Sequence, residues 1–390
     1  MTAKDNIGSM NFTFRTVPQI IFETGSSARL GQIVKARMKR PVIVTDKGII
    51  SAGLIGEALK SLEDAELDYL LFDGIEADPP ARVVRKSVEI ARQHKADGVI
   101  GFGGGSSMDT AKIIAVLLNS SQTLEEIYGT GNIKGERSAL ALIPTTSGTG
   151  SEVTDIAVVT SDDDQKVGIL GDQMFADVAV LDPALTYGLP RHVTAATGVD
   201  AMVHAIEAYT NRHKKNPVSD ALAREALKLL SENIVAACET PGDAKVRANM
   251  LLGAMLAGQA FCNSPVGAVH GMAYPLGALF HIPHGLSNSL MLEPVLRFNA
   301  SVAAANYAEL GDVIGADSTG GFAERAESFI AKLMEIVAAT GVERRLSNLG
   351  ISHNDLPRMA EDAMKAQRVM QNNPREVTYD DALAMYGQVL

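Results

Sequence analysis

The sequence predicts an α/β domain followed by an all-helical domain. In the first half, short apolar runs alternate with segments of helical periodicity, which is typical of a parallel sheet covered by helices on both faces. After about Leu189-Pro190, Ala, Leu and Met recur at helical spacing to the end of the chain. We therefore expect an α/β domain over residues 1–188 and an all-helical domain over residues 189–390.

The elements of the first half follow in order along the chain. The predicted strands are Gln19–Glu23, Pro41–Thr45, Tyr69–Phe72, Gly98–Phe102, Leu140–Ile143 and Val178–Leu181. The predicted helices are Ser26–Met38, Ile49–Leu62, Pro80–His94 and Ser107–Leu118. Ile156–Thr160 and Val167–Leu170 flank a polar turn, which predicts a hairpin. Pro183, Gly188 and Pro190 break the chain and place the domain boundary near residues 183–192.

Charge and cysteine content exclude several classes of protein. The formal net charge is -11 and no basic stripe is present, so nucleic acid is not an expected partner. The two cysteines, Cys238 and Cys262, exclude a disulfide framework and favour a reducing compartment. Met1–Phe14 lacks the apolar core of a signal peptide, and charged residues, Gly or Pro interrupt the apolar runs before membrane-spanning length. We expect a cytoplasmic protein without a membrane partner.

A glycine loop, Gly103–Ser107, lies between a predicted strand and a predicted helix. Glycines let the backbone approach a phosphate, and the N–H groups of a helix N-terminus supply donors and positive potential. The loop matches neither GxGxxG nor the Walker pattern. It therefore indicates phosphate binding, with a tight turn capped by Ser106 or Ser107 as the alternative.

Two further polar features lie directly after predicted strands. The loop Pro144–Glu152 carries hydroxyls and small residues that could wrap a dinucleotide, or it could be a surface turn. Asp46 follows the strand Pro41–Thr45, where a carboxylate can hold the adenosine ribose, although a cap or turn residue is the commoner role. Open α/β sheets bind ligands at such carboxyl ends.

A histidine and carboxylate set stands out in the helical half. Asp200 and His204 are spaced i, i+4 and point the same way, with Glu207 on the same helical face. His270 lies in an apolar stretch and His284 in a turn-like segment. Three imidazoles and a carboxylate suit Fe(II) or Zn(II) and leave room for a substrate oxygen. The alternatives are a helix salt bridge on a solvated face and a core histidine.

Taken together, these segments resemble the iron-containing (group III) alcohol dehydrogenase family. The matching stretches are GFGGGSSMDTAK (Gly101–Lys112), IPTTSGTGSEVT (Ile143–Thr154), ATGVDAMVHAIEAY (Ala196–Tyr209), VHGMAYPLGALFHIPHGLSN (Val269–Asn288) and NPREVTYDDALAMY (Asn373–Tyr386). They span nearly the whole chain in order. The resemblance implies a two-domain fold similar to dehydroquinate synthase, an active site in the interdomain cleft, and a homodimer or larger homo-oligomer.

The resemblance also implies a role for particular residues. The metal ligands would be Asp200, His204, His270 and His284. The residues around the cofactor would be Gly104, Gly105 and Ser106 at the pyrophosphate, Asp109 beside them, Thr145, Thr146 and Thr149 along the nucleotide, and Lys166 at a ribose. Asp46 matches the position associated with a preference for NAD over NADP.

One position departs from the family pattern. Many relatives carry a histidine four residues after the third metal ligand, where it is assigned to proton relay or substrate contact. Tyr274 occupies that position here, as the candidate catalytic side chain. A similar sequence in the hydroxyacid-oxoacid transhydrogenase branch leaves hydroxy acids such as 4-hydroxybutyrate as a second substrate class.

The implied function is NAD-dependent oxidation of a small alcohol, or reduction of its aldehyde, with a metal that polarises the substrate oxygen. The alternatives are a hydroxy-acid dehydrogenase or transhydrogenase, and a glycerol dehydrogenase-like or dehydroquinate synthase-like enzyme. A catalytically silent NAD-binding assembly module is the alternative of another class, and the complete Asp/His/His/His set argues against it.

Overall fold

A computed structural model describes residues 11–390 and contains a six-stranded parallel sheet in the first half of the chain. Its strands are β1 (Ile20–Phe22), β2 (Pro41–Val44), β3 (Leu70–Phe72), β4 (Gly98–Gly103), β6 (Ala139–Pro144) and β9 (Val178–Leu181). Their order across the sheet is β1-β9-β6-β4-β2-β3. The central strands β2, β4 and β9 are buried throughout, because helices cover both faces.

A second, three-stranded sheet lies beside the first. It contains β5 (Gly129–Thr130), β7 (Ile156–Thr160) and β8 (Lys166–Leu170) in the order β5-β8-β7. Strands β7 and β8 pair antiparallel, with Thr160 opposite Lys166, which confirms the predicted hairpin. The short strand β5 pairs parallel to β8 and had no signal in the sequence.

Five α-helices accompany the strands in the described part of the first half. They are α1 (Leu30–Val34), α2 (Lys47–Ser51), α3 (Gly56–Asp64), α4 (Ala81–Gln93) and α5 (Gly105–Leu117). The single helix predicted over Ile49–Leu62 is wrong, because the chain breaks between α2 and α3, where Gly53 adopts a left-handed φ of 69°. The prediction over Ser26–Met38 was too long, since Ser26–Arg29 forms a 3₁₀ turn before α1.

The rest of the chain is helical. Its helices are α6 (Arg191–Thr210), α7 (Pro217–Glu239), α8 (Ala244–Asn263), α9 (Ala268–Phe280), α10 (His284–Ile314), α11 (Phe322–Thr340), α12 (Leu356–Lys365), α13 (Gln367–Met370) and α14 (Tyr379–Gln388). They enclose one large apolar cluster, in which Ala, Leu and Met predominate. The predicted fold class, α/β followed by helices, is therefore confirmed.

The boundary between the two halves lies between β9 and α6. A 3₁₀ turn, Pro183–Thr186, occupies this segment. The division at residue 188 into independent domains stays a prediction. None of the helices in residues 11–390 combines the length and apolarity needed to cross a membrane. Most of the segment Met1–Phe14, on which the signal-peptide prediction rests, lies outside the described residues.

Candidate metal centre and adjoining cleft

Four side chains converge between helices α6, α9 and α10, and we call them the donor cluster. Asp200 and His204 come from α6, His270 from α9, and His284 from the first turn of α10. One ligand atom of each lies within 4.8 Å of those of the others. The Nε2 atoms of His204 and His270 are 3.9 Å from Oδ1 of Asp200, and Nε2 of His284 is 3.8 Å from the same oxygen.

Close packing of two helices creates this convergence. A Cβ atom at Gly285 would collide with the carbonyl oxygen of Ala196 on α6. Because glycine has no side chain, the first turn of α10 can lie directly against α6. This contact brings His284 beside Asp200, although the two residues are 84 positions apart in the sequence.

The donor cluster fits a divalent metal ion. Tetrahedral bonds of about 2.1 Å place neighbouring ligand atoms about 3.4 Å apart. The ligand atoms of the three histidines lie 3.8 to 3.9 Å from Oδ1 of Asp200, and all four ligand atoms lie within 4.8 Å of one another, so tetrahedral binding requires them to move inwards. Asp200, His204 and His270 are 1%, 4% and 3% exposed, whereas the side chain of His284 is 40% exposed. An ion held there would be shielded by the first three residues and open to the cavity beside His284.

The protonation of the donor cluster also suits metal binding. Burial is the main cause that lowers the pKa of His204 to about 3, so its imidazole is neutral at neutral pH. Burial alone would raise the pKa of Asp200, but the three histidines and a hydrogen bond from Asn288 outweigh it and lower that pKa. Metal ligands must be deprotonated, and both side chains meet this condition.

Glu207 orients one of the histidines and was missed as a functional residue. Its Oε2 lies 2.7 Å from Nδ1 of His270, and its Oε1 accepts a 2.7 Å hydrogen bond from the backbone N–H of Val269. The carboxylate therefore directs Nε2 of His270 towards Asp200, as carboxylates behind metal-binding histidines do. The available signal was the position of Glu207 on the Asp200–His204 face of α6.

Asn288 is the second residue that the sequence analysis missed. Its Nδ2 lies 2.5 Å from Oδ1 of Asp200, 3.1 Å from Nε2 of His270 and 3.3 Å from Nε2 of His284. One amide nitrogen thus faces three of the four candidate ligand atoms. Asn288 follows His284 by one helical turn, and this spacing was the signal that could have identified it.

The glycine loop and the second polar loop face each other at the carboxyl ends of adjacent strands. Gly103 of β4 pairs with Pro144 of β6, and the N–H of Thr145 donates a 3.0 Å hydrogen bond to the Gly103 carbonyl. A Cβ atom at Gly105 would lie 2.9 Å from Cγ2 of Thr149, so glycine permits the close approach of the loops. Thr149 borders the cleft, whereas Thr145 is buried at 1% exposure.

Asp46 occupies a place that fits both roles considered in the sequence analysis, a helix cap and a carboxylate near the cofactor. Its Oδ1 accepts a 3.1 Å hydrogen bond from the N–H of Ile49 and caps α2. Its Oδ2 lies 3.6 Å from where a Cβ atom of Gly103 would be, next to the glycine loop. The carboxylate is therefore a helix cap that also faces the expected cofactor side.

Three other predicted cofactor residues are held by protein contacts. Both carboxylate oxygens of Asp109 accept hydrogen bonds, from Oγ of Ser151 at 2.6 Å and from N of Val158 at 2.8 Å. Asp109 thereby ties the second polar loop to β7. Lys166 forms a 2.6 Å ion pair with Asp78, whose backbone N–H donates a 3.2 Å hydrogen bond to Oγ of Ser106.

A cavity of about 1350 Å³ joins the glycine loop to the donor cluster. The predicted site residues on its wall are Gly105, Ser106, Asp109, Thr149, Lys166, Asp200, His204, His270, Tyr274 and His284. Asp46, Gly104, Thr145 and Thr146 lie outside this wall. The ring centroid of Tyr274 is 6.4 Å from that of His284, with an angle of 27° between the planes. Tyr274 therefore lies at the metal end of the cavity.

Both halves of the chain match known protein families. Residues 18–183 match the family described as iron-containing alcohol dehydrogenase. Residues 194–390 match the C-terminal part of the Fe-containing alcohol dehydrogenase family. These two ranges include the glycine loop and the whole donor cluster, respectively.

Individual relatives agree with the family match. The chain is 35% identical to long-chain-alcohol dehydrogenase 1 of Geobacillus thermodenitrificans, over 91% of this chain and 90% of that protein. It is 34% identical to sulfoacetaldehyde reductase of Bilophila wadsworthia, over 96% and 98% of the two chains.

Solved structures extend the likeness to the fold. A 1,3-propanediol oxidoreductase has a TM-score of 0.95 at 31% identity, with 98% of this chain and 100% of that chain covered. Sulfoacetaldehyde reductase from Bifidobacterium kashiwanohense, solved with NAD+, has a TM-score of 0.87 at 26% identity, with 98% and 99% covered.

These matches define an enzyme of the dehydrogenase class that interconverts alcohols and aldehydes. More narrowly, the chain belongs to the iron-containing alcohol dehydrogenase family, whose fold is the one shared with dehydroquinate synthase. The comparisons do not favour the hydroxy-acid transhydrogenase alternative or the catalytically silent module.

Proposed function

We propose that the chain oxidises a small alcohol, or reduces its aldehyde, with NAD(H) at a metal centre formed by the donor cluster. The observation that carries the proposal is that one cavity wall contains both the start of α5 at Gly105 and the donor cluster. Its volume of about 1350 Å³ exceeds the roughly 1,000 Å³ upper range of ordinary small-molecule pockets. A dinucleotide and a small substrate together suit that size.

When bound, the metal would polarise the substrate oxygen as a Lewis acid and the nicotinamide would carry the hydride. The side chains of the protein supply position and shielding. Glu207 fixes the ring of His270, and the burial of Asp200, His204 and His270 limits the access of water from their side of the cluster. The Tyr274 hydroxyl can donate a hydrogen bond to the substrate from the metal end of the cavity.

We propose NAD as the preferred cofactor. The sulfoacetaldehyde reductase of Bifidobacterium kashiwanohense was solved with NAD+, and it covers 98% of this chain. Asp46 supports the same cofactor, because a carboxylate near the glycine loop would repel the 2′-phosphate of NADP. We favour Fe(II), as the family description does, with Zn(II) as the other candidate, since imidazole and carboxylate ligands accept both.

Metal reloading tests the proposal. The protein would be stripped with a chelator, reloaded with Fe(II) or Zn(II) without oxygen, and incubated with NAD and a panel of alcohols. We expect NADH formation that depends on the metal and on at least one alcohol. If neither metal supports NADH formation with any alcohol, the proposed function is wrong. A cytoplasmic location and a homodimer or larger homo-oligomer stay predictions, to be checked by fractionation and light scattering.

A further inference from the structure

Arg368 lies on the wall of the cavity and was assigned no role by the sequence analysis. It belongs to the short helix α13, which packs against α9 directly behind His270. A Cβ atom at Gly271 would collide with Sδ of Met370 and would lie 3.4 Å from Cγ2 of Val369. This tight contact fixes α13, and with it Arg368, at the metal end of the cavity.

The side chain of Arg368 reaches across the cavity to the second sheet. Its Nη2 lies 3.5 Å from where a Cβ atom of Gly168 on β8 would be. A larger residue at position 168 would therefore occupy space close to the guanidinium. The Tyr274 side chain lies next to the same guanidinium, which lowers the pKa of the phenol against the larger, raising effect of burial.

Arg368 is exposed, and no carboxylate of residues 11–390 pairs with its guanidinium. Three other basic side chains on the cavity wall have carboxylate partners: Lys166 pairs with Asp78, Lys215 with Asp220 and Arg15 with Asp155. Lys214, which is also on the wall, forms no ion pair within residues 11–390. For Arg368, residues 11–390 supply no carboxylate within the 4.0 Å ion-pair distance. A planar guanidinium that faces a cavity without a counter-ion is suited to bind a carboxylate or sulfonate through two hydrogen bonds.

We propose that Arg368 binds a negatively charged group on the substrate, a carboxylate or a sulfonate, while the donor cluster holds the alcohol or aldehyde oxygen at the other end. We assign the pyrophosphate of the cofactor to the glycine loop, where the N-terminus of α5 supplies backbone donors for it, so the anion at Arg368 is placed on the substrate. The inference rests on the proposed function and narrows its substrate class to alcohols and aldehydes that carry an anion. The position of Arg368, and not the substrates of related proteins, is the reason for expecting a charged substrate.

The test compares charged and neutral alcohols with the metal-loaded enzyme and NAD. The probes are 4-hydroxybutyrate for the carboxylate, 2-hydroxyethanesulfonate for the sulfonate, and 1,4-butanediol for a neutral substrate. We expect the wild type to have the highest kcat/KM for one of the two anions, and the better anion identifies the group. Arg368→Leu should lower that kcat/KM by roughly 10- to 100-fold, the range of hydrogen bonds to charged groups. The KM for NAD and kcat/KM for 1,4-butanediol should change by less than about twofold, because the proposal places the cofactor elsewhere and this alcohol carries no anion for the guanidinium to bind.

Arg358→Leu is the matched control, since it removes an exposed arginine from the neighbouring helix α12. Arg358→Leu should leave kcat/KM for all three alcohols unchanged. The inference fails, and the proposed function stands, if 1,4-butanediol is the best substrate. It also fails if Arg368→Leu lowers kcat/KM equally for charged and neutral substrates, or if Arg358→Leu causes the same selective loss of kcat/KM for the anions. Inactivity of the wild type with every alcohol would overturn the proposed function and the inference together.

Discussion

Oε2 of Glu207 lies 2.7 Å from Nδ1 of His270, so a carboxylate on α6 sets the orientation of a histidine on α9. The second oxygen of Glu207 is held by the backbone N–H of Val269. Both residues are buried, at 6% and 3% exposure, and the contact is therefore protected from water. A carboxylate in this position fixes the tautomer of the ring and raises the basicity of the opposite nitrogen.

Glu207→Gln should weaken metal binding by roughly 10- to 100-fold, the usual cost of losing such a partner. The amide can still accept or donate one hydrogen bond, so we expect the fold to be retained. The measurement is the metal dissociation constant from competition with a chromogenic chelator. Glu232→Gln, at an exposed position on α7, is the control and should bind metal like the wild type. Unchanged affinity in Glu207→Gln would contradict the orienting role.

Asp46 should decide between NAD and NADP. Asp46→Gly should relax the preference, at some cost to NAD affinity. Asp46→Ser is the sharper variant, because serine can still cap α2 but carries no charge. It should narrow the ratio of kcat/KM for NAD over NADP by at least about tenfold, since like-charge contacts cost several kcal/mol. A wild type that uses NADP as well as NAD would refute the assignment.

Tyr274 should act on the substrate rather than on the metal. Tyr274→Phe should keep metal and NAD affinity and raise KM for the alcohol more than it lowers kcat, if the contact is equally strong in the ground and transition states. Tyr274→His should stay active and move the pH profile of kcat/KM towards neutrality, since the ordinary pKa of imidazole is about 6.5. If Tyr274→Phe leaves the kinetics unchanged with every alcohol, Tyr274 is only a packing residue.

Glu152 should make stability depend on pH. Burial raises its pKa from 4.5 to about 7, so the folded state holds this proton more tightly than the unfolded chain. Below about pH 4.5 the carboxyl is protonated in both states and costs no stability. As pH rises from about 4.5 through 7, the unfolded chain loses this proton first, and the free energy of unfolding falls by up to about 3 kcal/mol. Glu152→Gln should therefore stabilise the protein at pH 8 and have little effect at pH 4.5. The measurement is the free energy of unfolding of both proteins in denaturant at pH 4.5 and pH 8. A change of equal size at the two pH values would contradict the prediction for Glu152.

The sequence alone predicted those features that depend on local spacing. The i, i+4 relation of Asp200 and His204 and the hairpin of β7 and β8 are of this kind. The break at Gly53 was missed because helical periodicity continues through it while the backbone turns left-handed. Periodicity reports burial on one face, and it does not report the local φ of a glycine.

The assembly of the site depends on long-range packing, which spacing does not encode. His270 and His284 were joined to Asp200 by resemblance, and the contact of Gly285 with Ala196 is the physical reason that they meet. Arg368 had no signal, because only the packing of α13 against Gly271 brings it into the cavity. The positions of such residues in the site can be recognised only from the packed helices.

The most direct test of the account is the metal content of His270→Ala beside the wild type and His192→Ala. His192 is an exposed histidine on α6, outside the donor cluster, and serves as the control. After reloading and gel filtration, elemental analysis should give one divalent ion per chain for the wild type and the control. His270→Ala should retain little metal and show no metal-dependent NADH formation. Tight stoichiometric metal with full activity in His270→Ala would contradict the proposed metal centre.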